Sequence, residues 1–316
     1  MKHERHTIDC EPGTPGYVGA YLRIAGDECA FVECYTSHAL PHLLGALAAH
    51  GRTAADVRYV VVTHAHLDHA GGASALVAAC PNATLLAHPR AARHLIAPEK
   101  LVASATAVYG EEYFRNVYGT IAPIPEARVR VLEDGDSFAL GDATFTAHHT
   151  AGHAKHHLVV HDPRTGTVYT GDTFGLVYPS LQRGKTFAFA STSPTDFDAE
   201  AAYTSLDRVL ALGEKTASPT HFGDTADVAE VASQVRRFVE RSEALVVREA
   251  KVDDALEACT RRIEADLRLL FDETARDAGL TLDRDDWAAL ELDVALNAQG
   301  LAFAARKRHG QARPRG

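Results

Sequence analysis

Chemistry concentrates first at Thr63-His64-Ala65-His66-Leu67-Asp68-His69-Ala70-Gly71-Gly72. Four candidate metal ligands fall within six residues there. Imidazole and carboxylate donors suit Zn²⁺, Mn²⁺ and Fe²⁺. His64 and His66, two apart in an extended turn, can point the same way. Asp68 and His69 lie on the next bend and can face an adjacent point. Such a set can serve two metal ions a few Å apart, and Gly71 and Gly72 let the backbone pass close beneath it. Further fragments carry the same chemistry: His149-Thr150-Ala151-Gly152-His153 with His156 and His157 after it, Thr170-Gly171-Asp172-Thr173, and Pro219-Thr220-His221-Phe222-Gly223.

These fragments need a frame. Val57–Thr63 reads as a buried strand running straight into the histidine cluster, and Gly72–Cys80 as a helix stopped by Pro81. Ala30–Val32 and Ala83–Ala87 read as further strands, and His38–His50 as a helix ended by Gly51. Pro98–Tyr118 reads as helix, with Tyr109, Tyr113, Phe114 and Tyr118 along it. Between residues 128 and 172 five strands are expected: Val129–Leu132, Ser137–Leu140, Ala143–His148, His157–His161 and Thr167–Thr170. Turn-forming Asp and Gly residues separate them. Strands and helices mixed in this way indicate a layered α/β domain. From Asp227 to Arg308 nearly everything reads as helix, with stripes at Val228, Val231, Val235 and Val239 and at Leu256, Cys259, Ile263 and Leu267. Asp283 or Asp285 is expected to cap the last helix. The basic tail through Arg313 and Arg315 reads as a solvated end.

The motif order HxHxDH, H-T-x-G-H, G-D and a late T-H-x-G resembles the metallo-β-lactamase superfamily, its glyoxalase II- and lactonase-like members included. The resemblance covers roughly residues 17–223. It implies a four-layer αβ/βα sandwich for a catalytic domain over residues 1–224, and leaves residues 225–316 as a helical C-terminal extension. It also implies a dinuclear centre, with His64, His66 and His153 on one ion, Asp68, His69 and His221 on the other, and Asp172 bridging. The ions are expected to be zinc, with manganese or iron as alternatives. Asp68 is further expected to orient the nucleophile or carry its proton. Thr63, His157 and Glu33 are expected to support the ligands. Two departures stand out: Ala151 replaces a common Pro, and Glu33-Cys34-Tyr35 stands where many members have Asp-Thr-Gly.

Two adjacent divalent ions lower the pKa of a bound water toward neutrality and polarise a carbonyl or phosphoryl oxygen. The expected activity is hydrolysis, by a metal-bridging hydroxide, of an ester, lactone, thioester or related bond in a small organic substrate. The alternative is a mononuclear-iron persulfide dioxygenase on the same fold, using His64, His153 and Asp172. Pro98–Tyr118 and Gly175–Phe189, the latter with Tyr178, Phe187 and Phe189, are the expected substrate walls.

Bulk properties narrow the partners. The 316 residues carry 32 Lys plus Arg against 42 Asp plus Glu, a net charge of −10. That balance disfavours a nucleic-acid partner, which needs a basic footprint. No apolar run is long enough to span a bilayer. The opening Met1-Lys2-His3-Glu4-Arg5-His6 has no apolar segment behind it, so the expected location is the cytoplasm. Five cysteines without a CxxC indicate reduced thiols rather than a disulfide framework. The helical stripes are compatible with a homodimer.

Overall fold

The computed structural model describes residues 2–10, 14–192 and 196–312. Arg313 and Arg315 of the basic tail, and the side chain of Tyr109, lie outside the described residues. The chain packs as two compact units. The first comprises Met1–His149, His156–Gly171 and Glu214–Ala226; the second comprises Thr150–Lys155, Asp172–Gly213 and Asp227–Gly316.

The first unit holds two sheets. Six strands form one of them in the order β1 (His3–Asp9), β2 (Gly19–Ala25), β3 (Glu28–Val32), β4 (Val57–Val61), β5 (Thr84–Ala87) and β6 (Val129–Val131). The first three run antiparallel and the last four parallel. Parallel neighbours need crossovers. Helix α1 (Leu40–Ala49) supplies the first, and α2 (Leu67–Ala70) with α3 (Ala73–Ala79) the second. The third runs through α4 (Pro89–Ile96), α5 (Glu99–Tyr109) and α6 (Glu111–Val117). The stretch expected as one helix over 98–118 is split by Gly110, whose φ of +84° lies in the region that glycine adopts without strain.

The other sheet orders as β11 (Thr216–Pro219), β10 (Thr167–Gly171), β9 (Leu158–Asp162), β8 (Ala143–His149) and β7 (Ser137–Leu140). It is antiparallel except for the β10–β11 pair. Side chains alternate faces along each strand. Tyr21, Val32, Val61 and Leu86 therefore meet Phe138, Phe145, Leu158 and Tyr169 in a core between the sheets. Their neighbours Leu22, Phe31, Val60 and Leu85 pack on the opposite face with Leu43, Leu47, Leu76 and Leu95 of the helices. Cover on both faces explains why β4 and β5 read as continuous apolar runs. Arg23 of β2 and Asp162 of β9, both fully buried, pair at 2.7 Å through this core.

The second unit is helical: α7 (Ala199–Ala211), α8 (Val228–Glu249), α9 (Leu256–Asp277) and α10 (Arg284–Ala312). Val231, Val235 and Val239, and Cys259, Ile263 and Leu267, are buried as their spacing requires. Phe189, Phe238 and Phe271 interlock with ring centroids 4.8 to 6.1 Å apart. The cap of α10 is Asp283, whose Oδ1 accepts from the N–H groups of Asp285 and Asp286 at 2.9 and 3.0 Å. All five cysteines are buried free thiols. Among the described residues, no helix is long and apolar enough to cross a membrane.

Candidate metal centre

The histidine loop leaves the end of β4 and is pinned from below. The backbone N–H of Thr63 donates to Glu33 Oε1 at 2.7 Å. His66 then opens α2, which places Asp68 and His69 on its single turn. Gly72 donates to Tyr35 O at 2.8 Å and Cys34 to His69 O at 3.2 Å. A Cβ on Gly72 would stand 2.7 Å from the carbonyl oxygens of both Cys34 and Thr36. The loop after β3 and the loop after β4 thus grip each other at a distance that only glycine permits.

Within the first unit, one donor atom each from Asp68, His69 and His221 lies within 4.8 Å of the other two. His221 Nε2 is 3.3 Å and His69 Nε2 3.8 Å from Asp68 Oδ2. The far nitrogens of both rings are engaged. His69 Nδ1 donates to Glu33 Oε2 at 2.6 Å, and His221 Nδ1 donates to the carbonyl oxygen of Tyr17 at 2.9 Å. A carbonyl or carboxylate oxygen can only accept, so Nδ1 carries a proton, and Nε2 is the nitrogen that the neutral form of each ring offers as a donor to metal. That is the tautomer a metal ligand needs, fixed by an outer partner. Nearby, His64 Nε2 and His66 Nδ1 face each other at 2.9 Å, and Thr63 Oγ1 lies 3.0 Å from His64 Nδ1.

The second unit holds the other two expected ligands. His153 Nε2 is 3.5 Å from Asp172 Oδ2, and both residues are buried. His153 Nδ1 donates to Ser191 O at 3.2 Å, which again makes Nε2 the ligating nitrogen of the neutral ring. The loop carrying His153 is clamped by α7. Ser205 Oγ donates to Ala151 O at 2.5 Å, and the Asp198 N–H donates to Gly152 O at 2.9 Å. Gly152, at φ +131°, sits where a Cβ would come within 2.5 Å of the Ala202 backbone. A cavity of about 10 Å³, room for roughly one water, lies beside His153, Asp172, Thr173 and Ala202.

Each expected supporting residue has a definite place. Glu33 is buried, holds both Thr63 and His69, and adopts φ +68°, an uncommon conformation for a residue with a side chain. The buried His157 ring stands 4.9 Å from that of His64. A Cβ on Gly171 would fall 2.5 Å from both His157 Nε2 and Thr63 Oγ1. Cys34, beside Glu33, has its thiol pushed well above the usual range by burial, and it donates to His69 O at 3.1 Å. It is held as a thiol rather than as a thiolate ligand.

Other groups have structural duties. His88 accepts from the Arg90 N–H at 3.0 Å as the cap of α4, and its ring lies 4.1 Å from that of His149. Burial, with His149 beside it, pushes His88 down to about 4. Tyr178, Phe187 and Phe189, expected to wall a pocket, are instead buried in the helical unit, and the Tyr178 hydroxyl donates to Asp293. Tyr113 is 46% exposed, as a surface ring is. Tyr17 and Ser191 act through their backbone carbonyls, which no residue type in the sequence advertises.

Within the first unit, nitrogen and carboxylate donors of Asp68, His69 and His221 converge in a way that suits a divalent metal, and His69, His221 and His153 each donate from Nδ1, which directs Nε2 to be the ligating nitrogen. Comparison with known proteins agrees. The family model described as the metallo-beta-lactamase superfamily matches residues 10–221. A metallo-beta-lactamase fold-containing protein of Sulfurisphaera tokodaii, ST1585, is 29% identical over 171 residues, 52% of this chain and 60% of that protein. A hydroxyacylglutathione hydrolase of Tolumonas auensis is 29% identical over 161 residues, 51% of this chain and 46% of that one. The chain thus spans about half the length of the curated relatives it matches. Among solved structures, the crystal structure of ST1585 from Sulfolobus tokodaii superposes with a TM-score of 0.65 at 19% identity, covering 95% of this chain and 99% of that one. The metallo-beta-lactamase family protein TTHA1429 of Thermus thermophilus gives 0.61 at 22% identity, covering 99% and 95%. Two sheets with their helices, helices at the C-terminal end, and a family match over two-thirds of the sequence establish that the chain belongs to the metallo-β-lactamase superfamily.

Proposed function

We propose that this chain is a dinuclear metal-dependent hydrolase acting on an ester, thioester, lactone or related bond of a small organic substrate. The observation that carries the reading is the Asp68–His69–His221 donor group, with both imidazoles fixed to present Nε2. His64, His66, His153 and Asp172 complete the proposed ligand set, with Asp172 as the bridge and zinc as the first metal to test. When bound, such ions supply a water acidic enough to be a nucleophile at neutral pH and neutralise charge on the attacked oxygen.

The chain's own residues do the rest. Glu33 and the carbonyls of Tyr17 and Ser191 hold three rings in the ligating orientation. Asp68, the most exposed member of the first-unit trio, orients the attacking water and accepts its proton. Thr63 Oγ1 supports His64 from behind. The name of the Tolumonas auensis relative puts acyl-glutathione thioesters first among substrates to try. The experiment is a turnover screen of glutathione thioesters, lactones, aryl esters and phosphodiesters, before and after chelation. Activity lost on chelation and restored by zinc or manganese is expected. Turnover that survives complete metal removal would overturn the proposal.

A further inference from the structure

We infer that Glu4, His6 and His50 form a second, peripheral site for a divalent transition metal such as Zn²⁺, sharing no residue with the proposed centre. Glu4 and His6, two apart on β1, project to one face of the sheet. His50 sits at the C-cap of α1, where the helix dipole favours positive charge. His6 Nε2 is 3.2 Å and His50 Nδ1 3.9 Å from the same carboxylate oxygen, Glu4 Oε2, and the two rings stack at 3.6 Å. One donor atom from each residue lies within 4.8 Å of the others. Tetrahedral zinc with bonds near 2.0 Å needs donors about 3.3 Å apart, so an ion fits with small movements. Lys2 pairs with the other oxygen, Glu4 Oε1, at 2.5 Å and leaves Oε2 to the histidines. All three side chains are part-exposed, so an ion can reach them. The test is zinc uptake by the full chain, titrated against a chromophoric chelator. Wild type should take up one more equivalent than H6A/H50A, and E4Q should hold that equivalent at least tenfold more weakly. Equal uptake and affinity in all three proteins would overturn the inference. If the double variant does not fold, E4Q alone decides.

A separate set of contacts points to Asn297 as a positioning residue for His153, which gives the C-terminal helices a part in the site. This rests on reading His153 as a metal ligand. Asn297, buried on α10, accepts from Thr192 N–H at 2.5 Å and from Thr192 Oγ1 at 2.9 Å, and donates to Ala190 O at 3.3 Å. Ser191, between those two residues, supplies the carbonyl that holds His153 Nδ1. The same helix grips the segment twice more: Asp293 accepts from Tyr178 OH at 3.2 Å, and Asp286 pairs with Arg183 at 2.5 and 2.8 Å. With N297A, the Thr192 N–H and the Ala190 carbonyl lose their side-chain partner, the Ser191 carbonyl between them is released, and the His153 tautomer is no longer held. Loss of such outer support typically weakens metal binding 10–100-fold.

Two readouts are needed. In metal-free protein, the His153 Nδ1–H resonance should be sharp in wild type and lost to solvent exchange in N297A. In metal titrations, N297A should bind one equivalent at least tenfold more weakly. N297D keeps the acceptor contacts to Thr192 but loses the donor to Ala190 O, so it should recover only the part of each effect that Thr192 carries. An unchanged resonance in folded N297A would overturn the positioning role whether or not metal binds. A changed resonance with unchanged metal affinity would instead count against His153 as a ligand.

Discussion

Glu33 is the most economical place to test how the centre is held. Its two carboxylate oxygens accept two buried donors, Thr63 N–H at 2.7 Å and His69 Nδ1–H at 2.6 Å. Gln at this position keeps the shape but offers one acceptor and one amino group. If the amide oxygen faces His69, two donors collide at Thr63. If it faces Thr63, the amino group drives His69 to the opposite tautomer, with a proton on the nitrogen meant for the metal. Leaving one buried donor unsatisfied costs about 1–3 kcal/mol. Removing an outer partner of a ligating histidine costs about 10–100-fold in metal affinity. E33Q should therefore fold with a lowered unfolding midpoint and bind its second metal equivalent about 10–100-fold more weakly. Denaturant unfolding of the metal-free protein and competitive metal titration separate the two effects. Wild-type affinity for both equivalents in E33Q would refute the tautomer argument, even if stability fell as expected.

Other expectations follow from the same geometry. G171A places a methyl 2.5 Å from His157 Nε2 and Thr63 Oγ1 at φ +51°, so a loss of about 2–4 kcal/mol in urea unfolding is expected. A change under about 1 kcal/mol would mean that the loop yields easily. Y178F removes the hydroxyl that donates to buried Asp293 and should cost about 1–3 kcal/mol of stability with KM unchanged; an altered KM would return Tyr178 to the substrate wall. His88 is held near 4 by burial, against 6.5 in the open chain. Between those values the unfolded chain binds more protons, so stability falls as pH drops from 6.5 toward 4. H88N, which keeps the cap on Arg90, should show a shallower acid decline in unfolding experiments, and identical pH profiles would contradict the assignment.

The ligand loop was legible because its chemistry is local: four donors in six residues need no tertiary context. The helical stripes and the strands from β3 to β10 were legible for the same reason, since burial imposes their periods. What escaped depends on distant partners. In β2, Arg23 looks polar and is fully buried only because Asp162 meets it from the other sheet. The edge strand β1 opens on charged and histidine side chains, and β11 is four residues ending in proline. Neither announces a strand until its neighbour is in place. Glu33 could be suspected from its position in the chain, but its grip on Thr63 and His69 could not. The carbonyls of Tyr17 and Ser191 are invisible to any residue-type argument.

The central claim is a pair of metal ions, and it is tested most directly by elemental analysis of protein purified without added metal, expressed per chain and paired with the visible spectrum. About two equivalents of zinc or manganese are expected in colourless protein, falling in D68A and H221A with the chain still folded. The peripheral site at Glu4, His6 and His50 is weighed separately by running H6A/H50A alongside. About one equivalent of iron, with oxygen consumed on a persulfide and no loss of metal in D68A or H221A, would contradict the claim.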